Sequence, residues 1–329
     1  MHFARLRSET PDGVMPRILV GDDDHEGWVD VRRAERLRLE RAGASRAGAA
    51  RVAAAVAPPS LADALAGGEA FLEAACHALN DDGDAHVTAD APLVNALDPS
   101  GYRDHMVFEE HFSFGYRWQN RPVPEVMYEL PISYCGNPLA FLGPGDEVPW
   151  PHYTRRLDYE LELGIVIGRP GSGLTPERAL DHVAGLTILN DVSARDIQAR
   201  EMPGGLGPSK GKHFACVAGP VVRTLDSLPW QRGLRMQARV NGETLCDTTS
   251  AEAIWDIAEL VAWASQGEQL MPGMLLGTGT CNGGSTVELG RELAPGDMIE
   301  LEIEGLGRLE NRLGQPEPNG WWPEPRRHG

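Results

Sequence analysis

Two glutamates, Glu160 and Glu162, lie in the run 158–167, where apolar and polar residues alternate before the run ends in β-branched residues. This alternation predicts a β-strand, and side chains two residues apart on a strand point to the same face. Two carboxylates on one face repel each other and are costly to desolvate unless a cation lies between them. The pair therefore predicts a site for a hard metal ion, with Leu161 and Leu163 packed on the opposite face.

The segment 103–112 is dense in ionisable side chains and contains Asp104 and His111. As a helix, it would place these two residues two turns apart on one face. The carboxylate could then hold a metal ion, while the imidazole could move protons near neutral pH. The alternative is a solvated amphipathic helix in which Phe108 and Phe112 pack inward.

The segment 190–198 follows the apolar run 186–189 and is typical of a strand that leads into a helix, with Ser193 as the N-cap. Arg195 and Gln198 are three residues apart and would share a face of that helix. A fixed cation beside a neutral donor suits the binding of an oxyanion. An ordinary capped helix at the surface is the alternative interpretation.

A glycine-rich segment, 204–213, carries Lys212 close to its end. It lacks both the spacing and the preceding strand of a phosphate-binding P-loop. A lysine after such a loop can reach into a site as a point charge. Lys212 is therefore a further candidate for the site.

The composition excludes several classes of function. The chain has 329 residues, with 30 lysines and arginines against 48 aspartates and glutamates, and a formal net charge of −18. Such a chain is a poor candidate for binding nucleic acids or anionic membrane surfaces. Its five cysteines are widely spaced and form no zinc or redox motif. With no signal segment and no membrane span in the sequence, we expect a reduced cytoplasmic protein.

The texture of the sequence changes near Asp98, which predicts a small N-terminal domain over 1–98 and a second domain over 99–329. The first part predicts short strands at 3–7 and 17–21 and helices at 31–57, 61–66 and 71–79, with Ser60 as a helix cap. The second part predicts strands at 159–167, 216–222, 235–240, 286–289 and 298–303, and helices at 176–180, 193–200 and 251–265. Asn241-Gly242 predicts a hairpin. This mainly β pattern favours a sandwich, roll or barrel.

Together these segments resemble the fumarylacetoacetate hydrolase family, from Arg103 to Asn311. The matching pieces, in family order, are Asp104 with His111, the strand 159–162, the block 190–198, Gly211-Lys212, Gly279-Thr280 and the ending 306–311. The resemblance implies an α+β fold that is mainly β: a mixed β-sandwich roll with a small N-terminal α/β domain. It also implies a homodimer.

The resemblance implies one divalent cation bound by four carboxylates, those of Asp104, Glu160, Glu162 and Asp191. An all-oxygen set of ligands suits Mg²⁺ or Mn²⁺, with Ca²⁺ also possible, and does not suit zinc.

The same resemblance implies roles for the remaining site residues. His111 would activate water, with Glu288 as its carboxylate partner and Glu109 or Glu110 as competing partners. Arg195, Gln198 and Lys212 match the group that stabilises an oxyanion, and Tyr134 and Thr280 match substrate contacts. Met106 replaces a tyrosine of the family, which argues against fumarylacetoacetate itself as the substrate.

We therefore expect a metal-dependent hydrolase that cleaves a carbon–carbon bond in a 2,4-dioxo acid of the acylpyruvate type, by way of a metal-stabilised enolate. The alternative on the same site is decarboxylation of a 3-oxo acid or tautomerisation of a dienoate. A non-enzymatic metal-binding protein is a third possibility, because a fold alone does not fix a function. The acidic run 22–25 and the tail residues Trp321 and Trp322 receive no assigned role.

Overall fold

The computed structural model describes residues 1–11, 13–23, 27–80, 83–118 and 120–326. It confirms an α+β fold dominated by strands. The strands are β1 (His2–Leu6), β2 (Glu9–Thr10), β3 (Gly13–Val14), β4 (Arg17–Gly21), β5 (Trp28–Asp30), β6 (His86–Val87), β7 (Gly101–His105), β8 (Ser133–Cys135), β9 (Phe141–Leu142), β10 (Val148–Trp150), β11 (Leu157–Asp158), β12 (Leu161–Ile167), β13 (Val183–Asn190), β14 (Ser193–Ala194), β15 (Cys216–Arg223), β16 (Arg235–Val240), β17 (Glu243–Thr249), β18 (Met274–Gly277), β19 (Met298–Ile303) and β20 (Gly307–Pro316). The α-helices are α1 (Val31–Arg41), α2 (Arg46–Val56), α3 (Leu61–Ala66), α4 (Glu69–Leu79), α5 (Glu109–Trp118), α6 (Val126–Glu129), α7 (Pro176–Ala179), α8 (Arg195–Glu201) and α9 (Ile257–Ala264).

Two sheets form the body of the molecule. The larger has the strand order β6-β5-β4-β1-β15-β13-β12-β18-β7-β8, with β9 also paired to β15. It is mixed, because β18 runs parallel to β7 and β9 parallel to β15, while its other pairs are antiparallel. The smaller sheet has the order β10-β20-β19-β16-β17.

The central strand β12 is buried on both faces, and its side chains alternate between two cores. Leu161, Leu163 and Ile165 join a core shared with the smaller sheet, which contributes residues such as Ile299. Val166 joins a second core, which the N-terminal helices cover. The alternation expected from the sequence is confirmed, and it places Glu162 on the same face as Val166.

The N-terminal strands extend the larger sheet. β1 pairs with β15 through His2 opposite Arg223 and Phe3 opposite Val222, and β4, β5 and β6 follow outward. Phe3 also packs against Phe71 of α4. The division of the chain near Asp98 stays a prediction.

Several predicted elements are confirmed by the structure, and others are wrong. The strands at 17–21, 235–240 and 298–303 have the expected bounds, and Asn241 and Gly242 both adopt positive φ in the turn between β16 and β17. The helix expected over 31–57 is two helices, because the chain turns at Gly43 (φ +94°) and Ser45 caps α2. The strand expected at 286–289 is a turn, in which the Leu289 N–H donates to the Thr286 carbonyl.

The predicted starts of two later helices are also wrong. Ser193 is not an N-cap, because it lies in β14, opposite Asp158 of β11. The helix expected from 251 begins at Ile257, where Asp256 and Glu259 form a capping box.

Of the acidic run 22–25, Asp24 and His25 lie outside the described residues, and Asp23 forms an ion pair with Arg223. Within the described part of the chain, no helix is both long and apolar enough to cross a bilayer.

Candidate active site

Four buried carboxylates meet where neighbouring strands of the larger sheet end. Asp104 lies on β7, Glu162 on β12, Glu160 immediately before β12 and Asp191 immediately after β13. Each carboxylate contributes one oxygen to a group of four oxygens that all lie within 4.8 Å of one another. Because β13, β12, β18 and β7 are consecutive in the sheet, the register brings together acids that are far apart in sequence.

Gly277 on β18 leaves room for two of these carboxylates. It pairs with Asp104 on one side and Gly164 on the other. A Cβ atom on Gly277 would overlap the Asp104 Oδ1 atom and lie 2.7 Å from the Glu162 Oε2 atom. The approach of Asp104 to Glu162 therefore requires a residue without a side chain at this position.

The helix expected over 103–112, with Asp104 and His111 on one face, is wrong. Asp104 lies on β7, because this segment pairs with β18 and β8, and α5 begins only at Glu109. Both residues still belong to one site, because the His111 Nε2 atom lies 3.8 Å from the Glu160 Oε1 atom. Tertiary pairing, rather than helical spacing, brings them together.

Two cations, the buried Lys212 and the partly buried Arg195, contact the carboxylates. The ammonium of Lys212 donates to Glu160 and, at 2.6 Å, to Asp191 Oδ2. The guanidinium of Arg195 lies 2.7 Å from Glu160 Oε1 and donates through Nη1 to Gln198 Oε1 at 3.1 Å. Arg195 and Gln198 thus share a face of α8, as their spacing predicts.

The cluster contains carboxyl groups that are costly to ionise. Burial raises the pKa of Asp104 well above its usual range, and the nearby charge of Asp191 adds to the effect. Burial and the charge of Asp104 likewise raise the pKa of Glu162. Burial also opposes the ionisation of Glu160, but Arg195 and Lys212 outweigh it and hold the pKa of Glu160 well below its usual range. A divalent cation among these groups would relieve the cost of ionising Asp104 and Glu162.

The donor set fits a divalent metal ion. All four groups are carboxylates, and oxygen ligands are what Mg²⁺, Mn²⁺ and Ca²⁺ prefer. The Asp104 Oδ1 atom is buried and accepts no hydrogen bond within the described residues. An unsatisfied buried carboxylate oxygen in such a cluster is available as a metal ligand.

His111 and Glu288 form a pair at the edge of the cluster. The His111 Nδ1 atom lies 2.9 Å from Glu288 Oε2, which also accepts from the Ser285 hydroxyl at 2.8 Å. Burial opposes ionisation of Glu288, but its hydrogen bond with His111 holds the pKa of this carboxyl below its ordinary value. The two competing glutamates point elsewhere: Glu109 accepts from the Tyr128 hydroxyl and Glu110 from Arg117.

The proposed substrate contacts lie beside the same carboxylates. The Tyr134 hydroxyl donates to Asp191 Oδ2 at 2.6 Å, and the Thr280 hydroxyl lies 3.5 Å from Glu162 Oε1. Met106 follows the Asp104 strand and bonds through its backbone to Ile132, and both side chains are partly exposed. The candidate residues thus converge on one region of the molecule.

One buried carboxylate, Asp158, is not singled out by the sequence pattern. It contacts Arg195 and the turn before Glu288. Its signal was present, because Asp158 precedes Glu160 by two residues and so belongs to the same alternating run. The partners that reveal its importance are distant in sequence.

Comparison with known proteins identifies the family to which this fold belongs. The family model described as fumarylacetoacetate (FAA) hydrolase C-terminal matches residues 100–314. The chain belongs to this family.

Curated relatives share about a third of the aligned residues. The oxaloacetate tautomerase YisK of Bacillus subtilis is 36% identical over 188 residues, which cover 56% of this chain and 62% of that protein. The mitochondrial oxaloacetate tautomerase FAHD2A of Homo sapiens is 36% identical over 201 residues, covering 59% of this chain and 61% of that protein. The matches thus span about six tenths of the length of these relatives.

A solved structure agrees along nearly the whole chain. The fumarylacetoacetate hydrolase from psychrophilic Exiguobacterium antarcticum has a TM-score of 0.71 and 25% sequence identity. The comparison covers 95% of this chain and 99% of that chain.

Proposed function

We propose that this protein is a divalent-metal-dependent tautomerase of a small 2-oxo acid, with oxaloacetate as the first substrate to test. The observation that carries the proposal is the buried four-carboxylate cluster with His111 beside it. The names of the two curated relatives support tautomerisation over the hydrolysis expected from the sequence.

Asp104, Glu160, Glu162 and Asp191 would hold the metal ion, for which we propose Mg²⁺ or Mn²⁺, with Ca²⁺ as a further candidate. When bound, the ion supplies Lewis-acid polarisation of the substrate's oxo group. Thr280 and Tyr134 lie against two of these carboxylates and would contact the substrate beside them.

His111 is the group placed to move the proton. Keto–enol interconversion transfers one proton between the oxo oxygen and the neighbouring carbon. Because the ionised Glu288 can only accept, His111 donates through Nδ1, and its Nε2 lone pair faces the cluster. That atom can take a proton from one position and return it to the other.

Lys212 and Arg195 act as fixed positive charges. Burial disfavours the charged form of Lys212, but Asp191 and Glu160 outweigh burial and raise its pKa. For Arg195, Glu160 and Asp158 likewise outweigh burial and raise the pKa. Neither group can serve as a base near neutral pH. With Gln198, they would instead stabilise negative charge on the substrate's oxygens.

The proposal is tested by following the decay of enol-oxaloacetate by its ultraviolet absorbance, with Mg²⁺ or Mn²⁺ and with a chelator. We expect metal-dependent acceleration, and a loss of about 10²-fold or more in His111→Gln. His77→Gln, which changes an exposed histidine on α4, is the matched control and should retain full activity. A His111→Gln enzyme as fast as the wild type would contradict the assignment.

Hydrolysis of an acylpyruvate is the second candidate, and the His111–Glu288 pair favours it. A histidine oriented by a carboxylate is the arrangement that removes a proton from an attacking water. Reaction in oxygen-18 water distinguishes the two activities, because hydrolysis places the label in the carboxylate product at a rate that matches turnover. Release of carbon dioxide from a 3-oxo acid would instead indicate decarboxylation.

A further inference from the structure

Asp158 is a buried carboxylate that contacts both Arg195 and the turn before Glu288. It is 2% exposed and lies two residues before Glu160, on the strand that approaches the cluster. Its two oxygens accept hydrogen bonds from one side chain of α8 and from the turn that follows Ser285. No other carboxylate among the described residues contacts both Arg195 and this turn.

The first link is to Arg195. Asp158 Oδ2 accepts a hydrogen bond from Arg195 Nε at 2.8 Å and forms an ion pair with Nη2, also at 2.8 Å. The third nitrogen, Nη1, is thereby directed to Glu160 and Gln198. The position of the fixed positive charge beside the cluster thus depends on Asp158.

The second link is to the turn that carries Glu288. Asp158 Oδ1 accepts from the Thr286 backbone N–H at 2.8 Å and from the Thr286 hydroxyl at 2.5 Å. Asp158 Oδ2 accepts from the Val287 N–H at 3.2 Å. These bonds hold the two residues directly before Glu288, whose carboxylate in turn holds His111.

We propose that Asp158 is a positioning residue: it fixes the position of Arg195 relative to the His111–Glu288 pair. It acts through Arg195, which contacts Glu160, and through Glu288, which holds His111. Because one rigid group holds both partners, a change at Asp158 displaces the cation and the proton carrier together. The proposal rests on the proposed function where turnover is the readout.

Asp158→Asn is the informative substitution. It keeps the shape of the side chain but replaces one acceptor oxygen with a donor NH₂ group. In either orientation, that NH₂ group faces an N–H or O–H donor of Thr286, Val287 or Arg195, so one link is lost. We expect kcat to fall about 10- to 100-fold, as for other residues that orient catalytic ligands, while KM changes less than about threefold.

Asp196→Asn is the matched control. Asp196 lies next to Arg195 in sequence and also accepts several bonds, from the Thr154 hydroxyl and the Arg155 N–H, but it contacts none of the proposed catalytic side chains. Its variant should keep kcat within about twofold of the wild type. An equal loss in Asp196→Asn would show that any disturbance near α8 suffices, and the proposal would be overturned.

A double-mutant cycle with Glu288→Gln separates positioning from a general loss of stability. If Asp158 acts through Glu288 and Arg195, Asp158→Asn should cost much less in the Glu288→Gln background than in the wild type. Independent, multiplicative losses would overturn the proposal. If Asp158→Asn does not fold, Thr286→Val takes its place in the cycle. This variant removes only the hydrogen bond from the Thr286 hydroxyl to Asp158, so we expect a smaller loss in kcat.

A readout without substrate keeps this test distinct from the proposed function. The imidazole nuclear magnetic resonance signals of His111, assigned with His111→Gln, should shift in Asp158→Asn and stay unchanged in Asp196→Asn. Unshifted His111 signals would overturn the positioning role, whatever the substrate. Shifted signals in a protein without tautomerase activity would support the positioning role while contradicting the proposed function.

Discussion

Glu160 lies directly before β12 and Glu162 lies within it, yet their surroundings drive the pKa values of the two carboxyl groups in opposite directions. Both are buried, and burial alone would raise both. Glu160 contacts Arg195 and Lys212, which outweigh burial, whereas Glu162 faces the like charge of Asp104. Environments that separate two carboxyl groups in this way are typical of sites with divided roles. The surroundings of Glu160 thus favour its ionised form, whereas a nearby cation would lower the cost of ionising Glu162.

The partner of His111 can be tested by changing one acid at a time. Glu288→Gln keeps the size of the side chain but removes the negative charge that fixes the His111 Nδ1–H. We expect kcat for enol-oxaloacetate to fall about 10- to 100-fold. Glu110→Gln, at an exposed residue paired with Arg117, should have no effect on kcat. A larger loss in Glu110→Gln than in Glu288→Gln would reverse the assignment of the pair.

At the residue scale, the sequence reveals local geometry and little else. The period of a strand is sufficient to place Glu160 and Glu162 together. It would equally have placed Asp158 there, but the residues that give Asp158 its role, Thr286 and Val287, are more than a hundred positions away. Contacts between residues so far apart in sequence depend on how the strands of the sheet pair. The local alternation of residues does not determine that pairing.

At the scale of elements, β18 is the strand on which the cluster depends. It lies between β12 and β7, and Gly277 is the point at which their carboxylates approach each other. The spacing of ionisable residues over 103–112 predicts a helix. Pairing with β18 and β8 outweighs that local preference and makes 101–105 a strand.

Gly277→Ala tests the dependence on β18. The added methyl group would overlap Asp104 Oδ1, so the carboxylates must separate or the strand must shift, at a cost of about 1–3 kcal/mol. We expect the increase in melting temperature on adding Mg²⁺ or Mn²⁺ to disappear in this variant. Gly101→Ala is the control, since the atoms nearest its methyl group would be those of the Met274 side chain, at 3.4 Å or more. An undiminished metal-induced shift in Gly277→Ala would contradict this account.

The carboxylate of Glu201 binds the backbone of the loop before Lys212. Its oxygens accept the backbone N–H groups of Ser209, Lys210 and Gly211 at 2.8–2.9 Å. Burial opposes the ionisation of Glu201, but the three backbone hydrogen bonds together outweigh it and lower the pKa of this carboxyl. Because the folded pKa lies below the unfolded value, the stabilisation is complete above the ordinary pKa of glutamate. It is lost as the pH falls through the folded value.

Hydrogen exchange of the three amides measures this anchor. In the wild type, we expect their protection to be constant near neutral pH and to decrease only below the ordinary pKa of a glutamate, about 4.3. In Glu201→Gln, protection should be lower at neutral pH and should no longer depend on this titration. Glu177→Gln, at an exposed carboxylate of α7, should leave the three amides unchanged. Equal protection in Glu201→Gln and wild type at neutral pH would show that the loop has another anchor.

At the scale of the whole molecule, one sheet joins the two parts that composition separates. β1 pairs directly with β15, the strand that also pairs with β13 beside the cluster. The second core combines Phe3, Ile18 and Phe71 of the first part with Leu189 and Leu275 of the second. The amino-acid composition changes near Asp98, but composition does not reveal that strands after this point belong to the same sheet as β1. The homodimer likewise stays a prediction, drawn from the family.

The fragment 99–329 tests whether the predicted boundary separates independent folding units. This fragment lacks β1 and the N-terminal helices. The edge of β15 would therefore be exposed, together with the apolar side chains that Phe3 and these helices cover. We therefore expect the fragment to aggregate or to unfold without a cooperative transition, whereas the full chain should unfold in one transition by circular dichroism. A chain shortened after Pro316 is the control, because the described part of the removed tail is exposed and forms no strand. A soluble 99–329 fragment that unfolds cooperatively and binds Mg²⁺ would establish the boundary near Asp98 and limit β1 to a peripheral role.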